Sequence, residues 1–394
     1  MRSSRRATLW RVAPTSSGSD ERSRAATVIK YLGSKRRLVP QLGALFEASG
    51  ATSALDLFTG TTRVAQEFCR RGGTVSAVDT ASYSEVLAQC YVVADARTFD
   101  QAEVADALTR LSALPPKRGY VTESFCEKSR YFHPENGRRI DAVRDGIDAL
   151  YGDHPLRPLL LTSLLEAADA VDSTVGLQMA YLKAWAPRAL KPLRLRAPEL
   201  TPGTGTAIRG DAFDLVGSLP RVDLAYLDPP YNQHRYFTNY HVWETLVRWD
   251  APAHYGVACK REDSRDATTK SIFNRKREMP GALARTIEAV AADVVMVSFS
   301  DEGYVPLDDL VAMCHTRGES VEVLAYDSRR HVGALIGIHS PAGQKVGHVS
   351  HTRNTEYVVV AGPAETVSRM VAASTGHERD AGVQSDRSRA LVGT

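Results

Sequence analysis

Long apolar runs, paired cysteines and a strong net charge are all missing from this sequence, and each absence removes a class of protein. No apolar stretch in the 394 residues approaches the roughly 20 needed to cross a bilayer, so no membrane partner is expected. The opening MRSSRRATLWRVAPTSSGSDERSR has arginines without an apolar stretch behind them, which argues against secretion. The five cysteines (Cys69, Cys90, Cys126, Cys259 and Cys314) are far apart, odd in number and without a C-x-x-C pair. That spacing speaks against a disulfide framework and a zinc site, so no metal is expected and a reducing cytoplasm is the compartment that fits. A formal net charge of +3 falls short of a small nucleic-acid-binding module, so any polyanion must be held by a local patch. No internal repeat and no G-x-G-x-x-G occur.

What is present is an ordinary globular composition, 43% hydrophobic and 24% charged, in a chain long enough to bury one large or two moderate domains. Residues 1–26 are rich in Ser and Arg and residues 365–394 lose periodicity, so both read as mobile tails. Strand, turn, helix and strand follow one another through VIKYLGSKRRL, SALDLFTG, TTRVAQEFCRRGG and TVSAVDT, giving a first α/β part over 27–98. Helical spacing takes over in QAEVADALTRLSAL, RRIDAVRDGIDALYG and LRPLLLTSLLEAADAVDS, an inserted block over 99–205. Strands return in VDLAYLD, DVVMVSFS, SVEVLAYD and TEYVVVAG over 206–364. The α/β core is therefore split in sequence and expected to be continuous in space.

In a doubly wound sheet, ligands sit at the carboxyl ends of the strands, and three acids fall at such ends: Asp56 of DLFTG, Asp79 of SAVDT and Asp228 of LAYLD. Gly60 stands where backbone passes close to a ligand. Asp79 follows the turn by about 20 residues, the usual distance for an acid that takes ribose hydroxyls. Thr61 and Thr62 stand where further glycines would serve a pyrophosphate, which disfavours a dinucleotide. The plain alternative is a strand-turn-helix with a solvated Asp79.

The stretch YLDPPYNQHRYFTNYH ends a buried strand on a carboxylate and two prolines. An exocyclic amine such as adenine N6 is a poor nucleophile because its lone pair is delocalised into the ring. Acceptors held against its N–H bonds draw the nitrogen toward tetrahedral geometry, and the Asp228 carboxylate and Pro229 carbonyl can be those acceptors. Pro229 and Pro230 fix φ near −65° and donate no N–H, so the turn is stiff. Tyr231 offers a ring on which a flipped-out base stacks, an interaction of roughly 1–3 kcal/mol, against the few kcal/mol lost on leaving the duplex. The alternative is a proline turn with Tyr236, Phe237, Tyr240 and Trp243 in the core.

YLGSKRRL, DLFTGTTRVA, AVD, GDAFDL and DPPYNQHRYFTNYHVWETL, in that order, resemble the D12 class (Dam-like, α-group) of DNA adenine N6-methyltransferases. The likeness spans about residues 28–362. It implies a class I methyltransferase fold, Rossmann-like, with a mixed sheet, helices on both faces and an inserted helical target-recognition region. It also implies S-adenosylmethionine as cofactor and methyl transfer to adenine N6 in duplex DNA by base flipping and direct in-line displacement. By that resemblance Tyr31 and Lys35 bound the methionine end, with Lys35 pairing the cofactor carboxylate. Asp56, Phe58 and Gly60 form the turn beneath it, Asp79 holds the ribose and Asp211 lies near the adenine ring. Thr62 departs from the family turn, which has glycine there, so that backbone is either not left-handed or remodelled. RNA adenine N6 or DNA cytosine N4 methylation, and a catalytically dead DNA-binding protein, are the alternatives. A restriction endonuclease is a companion such an enzyme can have, and a monomer is the default for this chemistry.

Two basic clusters stand out for DNA. Arg118, Lys128, Arg130, Arg138 and Arg139 lie in the insert near Tyr120, Tyr131, Phe132 and His133, a mixture suited to reading sequence. Lys260, Arg261, Arg265, Lys270, Arg275, Lys276 and Arg277 follow DPPY and are expected to meet phosphates. A solvated charged face is the alternative for both. Asn239, Tyr240 and His241 are placed to close over the target base, or else Tyr240 and Trp243 are core.

Overall fold

A computed structural model describes residues 7–12, 29–31, 35, 37–202, 205–233, 235–329 and 353–376. Ten strands appear in it: β1 (Thr8–Val12), β2 (Ser53–Asp56), β3 (Thr74–Asp79), β4 (Thr206–Arg209), β5 (Val222–Leu227), β6 (His254–Tyr255), β7 (Lys260–Arg261), β8 (Ala292–Ser300), β9 (Ser320–Arg329) and β10 (Arg353–Gly362). The α-helices are α1 (Val39–Ser49), α2 (Arg63–Arg70), α3 (Ser82–Ala88), α4 (Gln101–Ala113), α5 (Pro134–Tyr151), α6 (Arg157–Ala170), α7 (Ala212–Leu215), α8 (Tyr236–Asn239), α9 (His241–Arg248), α10 (Met279–Ala289), α11 (Leu307–Cys314) and α12 (Ala364–Thr375).

Eight strands form one sheet in the order β1-β9-β10-β8-β5-β2-β3-β4. Neighbours from β8 through β5, β2 and β3 to β4 are parallel, whereas β10 runs antiparallel to both β8 and β9. This is the mixed α/β sheet expected of a class I methyltransferase. Its central strands are continuously apolar because both faces are covered. VDLAYL and ADVVMVSFS are buried almost throughout. One face packs on α10 and α11 residues such as Leu283, Ile287 and Leu310. The other packs on Leu42 and Phe46 of α1, Phe68 of α2, and Val367 and Met370 of α12.

Helices α4, α5 and α6 form the insert, whose apolar core merges with α3 and α9. The join is polar as well as apolar. Buried Arg144 of α5 donates to the carbonyls of Leu246 (2.6 Å) and Val247 (3.0 Å), placing a cation at the C-terminal end of α9. Lys30 pairs with Asp169 (3.2 Å) and Asp172 (3.0 Å), tying the strand of chain beside Tyr31 to the insert.

Two expectations about the tails are corrected. Thr8–Val12 is an edge strand parallel to β9, with Trp10 Nε1 donating to Glu322 (2.8 Å). Ala364–Thr375 is a helix, because Val367, Met370 and Val371 recur at helical spacing and bury against α1 and β9. The rest of the two expected tails, 1–6, 13–26 and 377–394, lies outside the described residues. No described helix is long and apolar enough to cross a membrane.

Candidate active site

Asp56 is the last residue of β2, Asp79 the last of β3, Asp228 follows β5 directly and Asp211 follows β4 after Gly210. Parallel strands bring those carboxyl ends together, and all four acids line one cavity of about 450 Å³. Tyr31, Lys35, Phe58, Gly60 and Pro230 line it too.

The turn after β2 is held from both ends. Gly60 has φ +53°, and its N–H donates to Oδ2 of Asp79 (2.9 Å). A side chain at Gly60 would stand 3.1 Å from the Tyr31 ring, so the glycine lets backbone and ring form one wall. Asp79 also accepts from the N–H of Ala81 (3.0 Å). Burial raises its carboxyl above the usual range, and these bonds oppose that rise. Oδ2 of Asp56 accepts from Thr59 Oγ1 (2.9 Å) and the N–H of Ala65 (3.2 Å), while its buried Oδ1 has no hydrogen-bond partner. Burial pushes this carboxyl up to about 7. Thr62, threonine where the family turn has glycine, is nevertheless left-handed, with φ 61°, so the expectation of a backbone that is not left-handed there is corrected. Its hydroxyl donates to the carbonyl of Thr61 (2.7 Å) and accepts from Gln66 Nε2 (2.9 Å). Phe58 packs edge-on against Phe273 (5.0 Å), and Asp211 caps α7 by accepting from the N–H of Phe213 (2.8 Å).

Opposite this turn lies DPPY. Pro229 is buried, and the loop beyond is braced by the N–H of Tyr304 on the Tyr231 carbonyl (3.0 Å) and Asn274 Nδ2 on the Asn232 carbonyl (2.8 Å). Oδ1 of Asp228 lies 3.1 Å from Lys35 Nζ, an ion pair without the alignment of a hydrogen bond. Lys35 also donates to Oε2 of Glu356 on β10 (2.9 Å) and stands 5.4 Å from the Tyr231 ring centre. Burial opposes the ammonium's charge, but Asp228 and Glu356 outweigh it and hold Lys35 protonated beyond a lysine's usual range. Burial pushes Asp228 up to about 6, against the pull of Lys35. Lys35, expected to pair the cofactor carboxylate, lines the cavity with its ammonium between two protein carboxylates. Tyr31 is sandwiched, stacked on Tyr240 (4.4 Å) and Tyr236 (5.3 Å), with its hydroxyl 3.1 Å from that of Tyr83.

Sequence reasoning missed Glu356, and Tyr236, Glu244, Arg248 and Arg209 as residues that line the cavity. Glu356 stood in the quoted TEYVVVAG, where a lone acid in a buried strand was the available signal. Tyr240 and Trp243, 1% and 2% exposed, are core, as are Asn239 and His241.

The expected DNA clusters divide. Arg261 is 1% exposed, its guanidinium held by Asp250 (2.7 Å) and Asp263 (2.7 Å), so its assignment to phosphates is corrected: it is a buried tie. Arg139 donates to the carbonyls of Leu114 and Ser112 at the end of α4. Arg118 pairs with Glu127 (2.7 Å), Lys128 with Glu123 (2.7 Å), Arg138 with Glu135 (3.3 Å) and Arg275 with Glu278 (3.2 Å). Arg130 lies over the Trp185 ring (4.6 Å). Lys260 is half-buried, and Lys276 and Arg277 are exposed.

Comparison with known proteins agrees with this geometry. The family model for D12 class N6 adenine-specific DNA methyltransferase matches residues 31–302. The chain is 31% identical over 290 residues to the type II methyltransferase M.NlaIII of Neisseria lactamica, covering 70% of this chain and 84% of that protein. It is 28% identical over 313 residues to the type II methyltransferase M.CviAII of Paramecium bursaria Chlorella virus 1, covering 77% and 92%. Against the type II methyltransferase M.FokI of Planomicrobium okeanokoites it is 27% identical over 311 residues, 74% of this chain but 47% of that protein, so it spans about half of that longer relative. With strand-end acids, the glycine turn and DPPY meeting in one cavity, the chain belongs to the D12 class of N6 adenine-specific DNA methyltransferases.

Proposed function

We propose that the chain transfers a methyl group from S-adenosylmethionine to N6 of an adenine flipped out of duplex DNA, by direct in-line displacement. The observation that carries the reading is the convergence of Asp228 with Asp56, Asp79 and the Gly60 turn on one cavity.

The residues suit that cofactor. The orphaned, buried Oδ1 of Asp56 is an acceptor with nothing to accept from within the protein, which a cationic amine would satisfy. Asp56, Phe58, Gly60 and Tyr31 would hold the methionine end, Asp79 the ribose and Asp211 the adenine side. When bound, S-adenosylmethionine supplies an electrophilic methyl group on a sulfonium.

The chain's own work lies at the amine. Asp228 and the Pro229 carbonyl accept the two N6–H bonds and localise the nitrogen lone pair, most strongly in the transition state. Lys35 keeps the carboxylate ionised, and Glu356 draws part of the ammonium's hydrogen bonding to itself, leaving Asp228 free to accept from the amine. Tyr231 offers its ring face to the base. Holding the reactants in line can recover on the order of 7–11 kcal/mol of the barrier.

Labelled S-adenosylmethionine and unmethylated duplex DNA test the reading, with the product identified by nucleoside mass spectrometry. N6-methyladenine is expected with the wild type and not with Asp228→Ala. Label on cytosine, or on RNA alone, overturns the substrate. Cofactor binding without methylation of any nucleic acid overturns the reaction.

A further inference from the structure

Lys191, Arg194 and Arg196 stand on KPLRLR, the segment that leads from the insert back to the sheet. Leu193 and Leu195 turn in against the insert's apolar core, while Lys191, Arg194 and Arg196 are exposed. An extended backbone alternates its side chains, so consecutive arginines on one side stand about 6.6 Å apart. The backbone is pinned: Asn136 accepts from the N–H of Leu193 (2.9 Å) and donates to the carbonyl of Lys191 (2.9 Å), and the N–H of Arg196 donates to Ser163 Oγ (3.1 Å). Unlike Arg118, Lys128, Arg138 and Arg275, each against a glutamate, Lys191 and Arg194 make no ion pair among the described residues.

The row reaches the active site. Arg196 lines a small cavity of about 160 Å³ with Thr61, Arg63 and Arg70, and Thr61 and Arg63 line the catalytic cavity as well. Glu166 and Glu199 are the acids there; Glu166 is buried, accepting from Tyr91 (2.5 Å), and Arg70 also pairs with Glu67 (3.6 Å). The cations of the row outnumber these acids on the solvent side.

We propose that Lys191, Arg194 and Arg196, continued by Arg63, bind backbone phosphates of the DNA strand whose adenine enters the cavity. The proposal rests on the DNA-adenine reading above. A flipped nucleotide leaves its flanking phosphates at the cavity mouth, and a row of fixed cations leading away from that mouth meets them in sequence. Phosphate contacts carry no base preference but release counterions, so each one steepens the salt dependence of binding.

Fluorescence anisotropy of the full chain on a duplex oligonucleotide, at a series of salt concentrations, tests it. Arg194→Ala/Arg196→Ala is expected to make the slope of log K against log salt shallower by about 1.8, about 0.9 for each lost phosphate. KM for DNA that carries the methylated site should rise more than kcat falls, and binding should weaken on DNA of any sequence. Arg194→Lys/Arg196→Lys should keep most of the slope, and Arg110→Ala, a cation of α4 paired with Asp106 (2.8 Å), should leave it unchanged. An unchanged slope in the double alanine variant overturns the proposal, as does a lysine variant that behaves like the alanine one. Tight binding of duplex RNA in place of DNA, with the same slope change, overturns the assignment to a DNA strand. Formation of N6-methyladenine by the wild type in parallel shows that a failure belongs to this row and not to the reaction.

Discussion

Asp228 is under opposed pressures: burial raises its carboxyl to about 6, Lys35 lowers it and Glu356 raises it again. Asp56, Tyr226, Tyr231 and Tyr236 are the other titratable groups around it. Only the ionised form accepts both the amine's N–H and the ammonium, so kcat is expected to fall as pH drops through about 6. Glu356→Gln removes the repelling charge and should move that limb to lower pH; Lys35→Met removes the attracting one and should move it higher. Profiles of kcat against pH for the three proteins check this, and a limb fixed in both variants would release Asp228 from their control. The same burial has a stability cost. It is absent while folded and unfolded states are both protonated, below about 4, grows as pH rises, and is complete above about 6. Asp228→Asn should therefore stabilise the fold at pH 8, by on the order of 1–3 kcal/mol in urea denaturation. Thr62 is a second residue with a cost, since a left-handed conformation is unfavourable by roughly 1–2 kcal/mol for an L-residue with a Cβ. Thr62→Ala keeps that cost and loses the bond to Gln66, whereas Thr62→Gly loses the bond and sheds the cost. Chemical denaturation should rank the glycine variant above the alanine variant by about 1 kcal/mol; the reverse order would show that the turn relaxes.

The β6–β7 hairpin, whose two strands pair His254 with Arg261 and Tyr255 with Lys260, hangs on Arg261. Its guanidinium reaches Asp250 before the hairpin, Asp263 after it and Thr245 Oγ1 (3.3 Å) on α9. Arg261→Ala empties a buried site and leaves its two carboxylates only Arg248, at 3.1 and 3.2 Å, a loss of roughly 1–3 kcal/mol. A loss of that size in melting or denaturant curves is expected; a DNA salt slope that changes while stability holds would restore the phosphate assignment. Here the limit of sequence reading is physical. Lys260, Arg261 and Arg265 look alike in a row, and only the fold decides which one turns inward, although Asp250 and Asp263 on either side were a legible hint. Strands and helices were legible where their period is local: VDLAYL, DVVMVSFS and the helices of the insert stand where apolar spacing puts them. Val367, Met370 and Val371 carried the same signal for α12, beneath a polar composition. TLWRV was not legible, because its partner β9 lies about 300 residues away, as the Trp10 to Glu322 bond shows.

At the scale of the whole molecule, the motif acids were legible because each closes its own strand, and parallel pairing alone brings strand ends together. The Lys35 and Glu356 pair was not, being 321 residues apart in sequence and joined only by the placement of β10 beside β8. The cavity so assembled holds more acid than base, and buried acid elsewhere adds to the effect. Burial pushes Asp56, Glu166 and Asp169 each to about 7, and Asp228 to about 6. All four folded values lie above the unfolded range near 4, so the folded chain binds more protons between these limits and gains stability as pH falls from 8 toward 6. His241 opposes them, since burial lowers it to about 3 and the unfolded chain takes up that proton below about 6.5. Four groups against one should leave urea midpoints higher at pH 6 than at pH 8. A cationic ligand in the cavity reverses the preference, because it favours the ionised forms of Asp56 and Asp228. Binding of S-adenosylmethionine at pH 7 should therefore release protons, and affinity should rise with pH through about 7. Calorimetry in two buffers of different ionisation enthalpy reads that release directly, without any turnover. S-adenosylhomocysteine, which lacks the sulfonium charge, should release fewer protons, and Asp56→Asn should abolish most of the release with either ligand. Heats that do not depend on the buffer would show that binding does not change the protonation of Asp56, and would overturn this prediction.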